Sequence, residues 1–155
     1  SLHDALPISL QAAILLPKLA VLDEELAQRQ RVADTYNALL HGSEPLLANE
    51  TTKNASQAIV TPHQEPHNIS AWAQYTIQVP NRETLQEQLK QAGIPTAVHY
   101  PIPLNIQPAV ADTTAQLPVG DAVAQRVMSL PMHPYLDEIS ISQIAAAIRL
   151  ALPQA

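Results

Sequence analysis

The chain has 155 residues, of which 46% are hydrophobic and 14% are charged, a composition typical of a globular domain with a packed core. Its net charge of −6 and its eight scattered lysine and arginine residues exclude a basic surface for nucleic acid or an anionic membrane. The lack of cysteine excludes disulfides and thiolate metal sites and is consistent with the cytoplasmic localisation that we expect.

The first predicted element is one long helix over residues 10–42. Apolar residues recur there at helical spacing, Pro17 predicts a kink, and Gly42 is the predicted left-handed cap. The apolar part of this segment is too short to span a bilayer, so we expect no membrane association. The polar, proline-containing residues 43–67 predict a loop, with at most a brief strand over 58–60.

Alternating hydrophobicity, caps and helix breakers predict the remaining elements. They are a strand over 70–79, a helix over 82–92, a strand over 95–99, a proline-rich loop, a helix over 118–127, a strand over 128–130 and a helix over 137–151. Asn81 is the predicted N-cap of the second helix, and Gly93 is its predicted stop. This order predicts an α/β fold, similar to a small α+β domain, in which helices cover a small sheet.

The segment TAVHYPIPLN, residues 96–105, contains the strongest candidate for a binding site. Pro95, Pro101 and Pro103 restrict their own φ angles and disfavour helix at the preceding residues. They therefore predict an extended chain that leads into a rigid loop, with His99 and Tyr100 at the junction. Binding residues often lie on loops held by a rigid scaffold. The alternative is a buried His99 that is satisfied by backbone groups at a strand end and binds nothing.

The other histidines give weaker signals. His63 and His67 lie four residues apart in a loop without a set of further ligands arranged for zinc, so we predict no metal site. His133, within SLPMHPYLDE, predicts a packed turn before the last helix, with a ligand role as the alternative.

Several segments together resemble a known family. They are LQAAILLPKL, AQYTIQVPNRETLQEQLKQAGIPTAVHYPIPLNIQPAVAD, LPVGDAVAQRVMSLPMHPYL and the closing helix. In this order and at these spacings they resemble the C-terminal part of the pyridoxal-phosphate sugar aminotransferases of the DegT/DnrJ/EryC1/StrS family, over about Leu10 to Leu150. The segments HNISAWAQYT and PTAVHYPIPLNIQPAVAD are most similar to members that aminate a UDP-linked 3-keto N-acetylated uronic acid in bacterial O-antigen and lipopolysaccharide synthesis.

The resemblance implies a division of the chain into parts of a fold type I aminotransferase. Residues 1–9 would be a leader foreign to the family, 10–42 a linker and interface helix, and 43–155 the small C-terminal domain. The large domain that binds pyridoxal phosphate would be absent. Lys18, Lys53 and Lys90 do not stand in the context of the family's Schiff-base lysine, so the resemblance implies no catalytic or cofactor-binding residue, and an inactive chain in isolation.

The resemblance also implies an activity for the parent enzyme. A homodimer with pyridoxal phosphate would transfer an amino group, with glutamate as the expected donor, to the C3 ketone of a UDP-sugar. By residue match, His99 and Tyr100 would contact the nucleotide sugar at the mouth of the active site.

A second hypothesis comes from a different class of protein, a non-catalytic α/β module that binds a small molecule or regulates a partner. The two hypotheses differ in the long N-terminal helix. An aminotransferase domain separated from its large domain leaves Leu15, Leu19 and Leu22 uncovered, whereas an independent module buries them.

Overall fold

The computed structural model describes residues 2–40 and 59–152, with side chains from residue 9 onward. Its elements are α1 (Leu2–Ala20), α2 (Leu22–Leu40), β1 (Tyr75–Gln78), α3 (Arg82–Gln91), a 3₁₀ helix (Leu104–Ile106), α4 (Pro118–Ala124), β2 (Val127–Leu130) and α5 (Glu138–Ala151). Helices and a small sheet alternate, which confirms the predicted α/β class. No helix in this described part is long and apolar enough to cross a membrane.

The predicted single helix over residues 10–42 is wrong in two respects, because the structure has two helices and the break lies at Val21 instead of Pro17. The Val21 N–H bonds to the Lys18 carbonyl oxygen, three residues back, at 3.3 Å. This tightened turn ends α1, and three acidic residues then open α2, where the helix dipole favours negative charge. Helix α1 begins at Leu2, and Gly42 lies outside the described residues.

The two strands form an antiparallel ladder at the centre of the domain. Tyr75 lies opposite Leu130, and Ile77 lies opposite Met128. Single bridges extend the sheet on both sides, Val60 to Gln78 beside β1 and Ala97 to Ser129 beside β2. The strand predicted over 70–79 is therefore shorter than expected.

The strand predicted over 95–99 is also reduced, to the single bridge at Ala97. The Ala97 N–H donates to the Ser129 carbonyl oxygen at 3.1 Å, and the Ser129 N–H donates back at 2.7 Å. On one side the ladder cannot continue, because Pro95 has no N–H group to donate. The segment is thus anchored to the sheet by the pair of hydrogen bonds at Ala97.

The predicted ends of the helices agree with the structure except at two places. Asn81 occupies the N-cap of α3, but its side chain makes no capping bond and its backbone is left-handed, with φ 49°, a conformation that asparagine tolerates. The helix predicted over 118–127 ends at Ala124, since Val127 already pairs in β2. Gly93 stops α3 with φ 75°, and Asp137 caps α5 by accepting the Ser140 N–H at 2.7 Å.

One hydrophobic core joins the sheet to α2, α3 and α5. Its members from these helices and strands are Val32, Ala33, Tyr36, Leu40, Tyr75, Ile77, Leu85, Leu89, Met128, Leu130, Ile141, Ile144, Ala145 and Ile148. The rings of Tyr36 and Tyr75 stack with centroids 4.9 Å apart. The Tyr36 hydroxyl donates to the Pro131 carbonyl oxygen at 3.0 Å, so burial of this ring leaves no unpaired hydroxyl.

Candidate functional site

His99 and Tyr100 lie two and three residues beyond the bridge that anchors the chain to the sheet. Both side chains are exposed, Tyr100 by 77%. The two rings meet edge to face, with centroids 6.3 Å apart and planes inclined at 79°. The alternative of a buried histidine satisfied by the backbone is therefore wrong, because the His99 ring is open to solvent and available to a ligand.

The loop that follows this pair is braced by its own hydrogen bonds. The Gln107 side-chain amide donates through Nε2 to the Ile102 carbonyl oxygen at 3.1 Å. The Asp112 N–H donates to the Asn105 carbonyl oxygen at 2.9 Å. Together with the 3₁₀ turn at Leu104–Ile106, these bonds close the loop into a compact unit, as the density of prolines predicts.

An apolar groove of about 420 Å³ opens beside Tyr100. Its lining residues are Tyr100, Pro101, Ile102, Gln107, Pro108 and Ala109. The Gln107 amide lies among aliphatic and aromatic walls, and the groove is open to solvent. Gln107 is not among the residues that the sequence predicts for the site. The only local signal for it is an amide side chain placed between Ile106 and Pro108.

The apolar side chains around this loop are largely uncovered. Ile102, Leu104, Ile106 and Val110 all expose about half or more of their surface. Four large apolar side chains exposed within nine residues make this loop a candidate surface for interaction.

A second exposed apolar surface lies along α1 and the start of α2. Leu15, Leu19 and Leu22 are exposed by 64%, 66% and 42%, and Leu10, Ile14 and Leu16 are exposed beside them. The prediction that the long helix leaves an apolar stripe uncovered is confirmed. The module hypothesis required these leucines to be buried, so the structure contradicts that requirement.

His63 and His67, among the described residues, belong to no cluster of potential metal ligands. His63 contacts the Glu65 carboxylate at 3.2 Å, and no group of three or more potential ligands occurs in residues 2–40 and 59–152. The predicted turn at His133 is confirmed, since the Leu136 N–H bonds to the His133 carbonyl oxygen at 3.3 Å. The His133 ring itself is exposed.

The lysines within the described ranges do not fit covalent attachment of pyridoxal phosphate. Lys18 is exposed on α1, with its ammonium 3.6 Å from the Glu25 carboxylate, and Lys90 is exposed in the last turn of α3. A Schiff-base lysine lies in an enclosed, desolvated pocket, whereas both of these side chains are open to solvent. Lys53 lies outside the described residues.

Comparison with known proteins relates this chain to one family of enzymes. The DegT/DnrJ/EryC1/StrS aminotransferase family profile matches residues 8–149. The chain is 56% identical over 140 residues to the UDP-2-acetamido-2-deoxy-3-oxo-D-glucuronate aminotransferase of Pseudomonas aeruginosa, covering 90% of this chain and 35% of that protein. It is 38% identical over 132 residues to a pleiotropic regulatory protein of Geobacillus stearothermophilus, covering 83% and 32% respectively.

Solved structures show the same fold. A DegT DnrJ EryC1 StrS aminotransferase from Brucella abortus superposes with a TM-score of 0.77 at 37% identity, over 93% of this chain and 35% of that one. The S. venezuelae protein DesV superposes with a TM-score of 0.76 at 29% identity, over 90% and 35%. The chain thus spans about a third of the length of the relatives that it matches.

Proposed function

Because the chain belongs to the DegT/DnrJ/EryC1/StrS aminotransferase family, we propose that it forms the C-terminal small domain of a pyridoxal-phosphate-dependent nucleotide-sugar aminotransferase. The observation that carries the proposal is the 56% identity over 140 residues to an aminotransferase that acts on a UDP-linked 3-oxo sugar. The exposed leucines of α1 and α2 support it, since they suit a domain that packs against further polypeptide.

The proposed reaction moves an amino group from a donor, glutamate, to the C3 ketone of UDP-2-acetamido-2-deoxy-3-oxo-glucuronate, in O-antigen and lipopolysaccharide synthesis. Bound pyridoxal phosphate supplies the electron sink for such a transfer. In this proposal the cofactor site and the bond-making residues belong to the large domain of a homodimeric parent enzyme. The small domain binds and orients the sugar.

We assign that orienting role to His99 and Tyr100. An imidazole and a phenol both donate and accept hydrogen bonds, which suits contacts with sugar hydroxyls or phosphate oxygens. Both are exposed on a loop that is anchored to the sheet at Ala97 and braced by Gln107. The rigidity of this loop matters because misplacement of a substrate by about 1 Å can lower the rate by about 100-fold.

The nucleotide part of the proposed substrate has a chemical feature that several relatives share. Two of them are named for UDP-sugars, and three are named for dTDP-sugars. Uracil and thymine both present an N3–H donor between two carbonyl acceptors on their base-pairing edge. We therefore propose that the parent enzyme of this chain also takes a nucleotide with this pattern, namely UDP.

A regulatory role is the second candidate, because one relative at 38% identity is called a pleiotropic regulatory protein. An independently folded regulatory module would bury Leu15, Leu19 and Leu22, and these side chains are exposed. The greater identity to the aminotransferase also favours the enzymatic role.

The test is an assay of the full-length parent protein, obtained by recovering the coding sequence upstream of this chain. The purified protein is supplied with pyridoxal phosphate, glutamate and the 3-keto UDP-sugar, and chromatography follows the aminated UDP-sugar and 2-oxoglutarate. We expect both products in equal amounts, and neither from the present chain alone. A full-length protein that forms no aminated sugar contradicts the proposal.

A further inference from the structure

We propose that Gln86 of α3 is a positioning residue for the loop that binds the sugar, and that it acts through Thr96. The inference rests on the proposed function, which assigns contact with the sugar to His99 and Tyr100, and it adds a residue that lies outside that loop. Two contacts carry it: the hydrogen bond between the side chains of Gln86 and Thr96, and the backbone bridge at Ala97.

The bridge at Ala97 holds the chain against β2 in the plane of the sheet. Ala97 and Ser129 exchange two hydrogen bonds, at 3.1 and 2.7 Å. The pair resists sliding along β2, because sliding would lengthen both bonds. It opposes tilting out of the sheet plane only weakly, since a hydrogen bond tolerates bending by about 30° from linearity. The bridge alone therefore leaves the chain free to pivot at Ala97.

A small pivot at Ala97 would move the sugar-binding pair by a distance that affects catalysis. His99 lies two residues beyond Ala97, and each residue of an extended chain adds about 3.3 Å. A tilt of about 10° would therefore displace His99 by about 1 Å, and a misplacement of this size can lower a rate by about 100-fold.

The contact between Gln86 and Thr96 opposes this pivot. The Gln86 amide donates through Nε2 to the Thr96 Oγ1 at 3.2 Å. Thr96 immediately precedes Ala97, so the chain is bonded to α3 at one residue and to β2 at the next. Gln86 and Thr96 are both half-buried, and a hydrogen bond shielded from water is stronger than an exposed one.

Helix α3 gives Gln86 a rigid support. Leu85 and Leu89 of the same helix are buried in the core, and the Ile94 N–H donates back to the Leu89 carbonyl oxygen at 2.8 Å. A groove of about 370 Å³ lies between α3 and the segment that follows it, with Gln86 and Thr96 among its lining residues. Because this space is open, packing does not replace the hydrogen bond when it is lost.

The experiment measures kcat and KM of the full-length parent enzyme for the 3-keto UDP-sugar. Gln86→Leu removes the donor, and Thr96→Val removes the acceptor but keeps the branched shape of the side chain. We expect either variant to lower kcat/KM for the sugar by about 3- to 10-fold, because one hydrogen bond can bias the loop toward its productive position by no more than its own free energy. Thr96→Ser, which keeps the hydroxyl, should retain most of the activity.

A double-mutant cycle separates positioning from a general effect on stability. In an enzyme that already carries His99→Ala and Tyr100→Phe, Gln86→Leu should cause little further loss of kcat/KM, since the hydrogen bonds to be positioned are gone. The glutamate half-reaction should be unchanged in every variant, which reports that the enzyme is folded. An undiminished loss from Gln86→Leu in the His99 and Tyr100 background overturns the proposed action through this pair.

The matched control is Gln91→Leu. The Gln91 Nε2 also donates one hydrogen bond on α3, to the exposed Glu87 at 3.2 Å, and this variant should keep kcat/KM unchanged. An enzyme that aminates the sugar equally well with Gln86→Leu overturns the positioning role alone. An enzyme that forms no aminated sugar overturns the proposed function and the positioning role together.

Discussion

Tyr135 donates its phenolic hydrogen to a carboxylate oxygen of Glu25 across 2.7 Å, although 110 residues separate them in the chain. This hydrogen bond connects Tyr135, in the turn before α5, to Glu25 in the first turn of α2, close to the break between α1 and α2 at Val21. This hydrogen bond holds the pKa of the Glu25 carboxyl below its ordinary value, and the Lys18 ammonium acts in the same direction. It raises the pKa of Tyr135 in turn.

Loss of the Tyr135 hydroxyl should therefore raise the pKa of Glu25. A carboxyl whose pKa is lowered on folding stabilises the fold above its unfolded pKa, and this contribution is lost as the pH falls through the lowered pKa. An NMR titration should place Glu25 below the usual range and move it upward in Tyr135→Phe. Tyr100→Phe, which removes an exposed hydroxyl that is not bonded to Glu25, should leave the titration unchanged.

Tyr75→Phe should destabilise the fold by about 1 kcal/mol, the typical net contribution of one intramolecular hydrogen bond. The Tyr75 hydroxyl donates to Asn37 Oδ1 at 2.6 Å, and the ring is fully buried. Urea denaturation measures the change in the free energy of unfolding. Tyr100→Phe is the matched control, because the same atom is removed from a side chain that is 77% exposed. Equal losses in both variants would show that burial at Tyr75 is irrelevant.

The chain as given should self-associate through the apolar stripe on α1. Leu15 and Leu19 are four residues apart and therefore share one helix face, and both are exposed. Replacing both with glutamate should shift the particle mass in light scattering toward the monomer. The matched control replaces Ile139 and Leu150, which are exposed on α5, and should leave association in place. A stable monomer of the unaltered chain at working concentrations would contradict this prediction.

His99→Ala and Tyr100→Phe should slow only the sugar half-reaction of the full-length enzyme. Losing a hydrogen bond to a neutral hydroxyl costs about 0.5–1.5 kcal/mol, and losing one to a charged phosphate oxygen costs about 1.5–3 kcal/mol. The kcat/KM for the sugar should fall by about 3- to 100-fold. Stopped-flow measurement of each half-reaction separates the two effects.

The glutamate half-reaction is the internal control for these variants, because neither residue is proposed to contact the cofactor. If both half-reactions slow equally, the pair supports the cofactor pocket instead of the sugar. If neither changes, the exposed ring of His99 has no part in binding.

Local chemistry in the sequence determined most of the elements of this domain. The glycine stop at Gly93 and the alternation around Tyr75 and Ile77 each depend on a few neighbouring residues, so they are visible without a fold. The prolines around His99 and Tyr100 likewise predict a rigid loop. The exposed stripe on α1 could be expected only from the family resemblance, because it depends on what the rest of a longer enzyme would cover.

The tertiary structure decided the features that depend on residues distant in the chain. The strand predicted over 95–99 is reduced to the bridge between Ala97 and Ser129, a pairing between residues far apart in the chain. The exposure of His99 and the groove that Gln107 lines follow from how the loop folds back on itself. Such contacts are set by packing and by competition for hydrogen-bond partners across the fold, which the order of residues alone does not display.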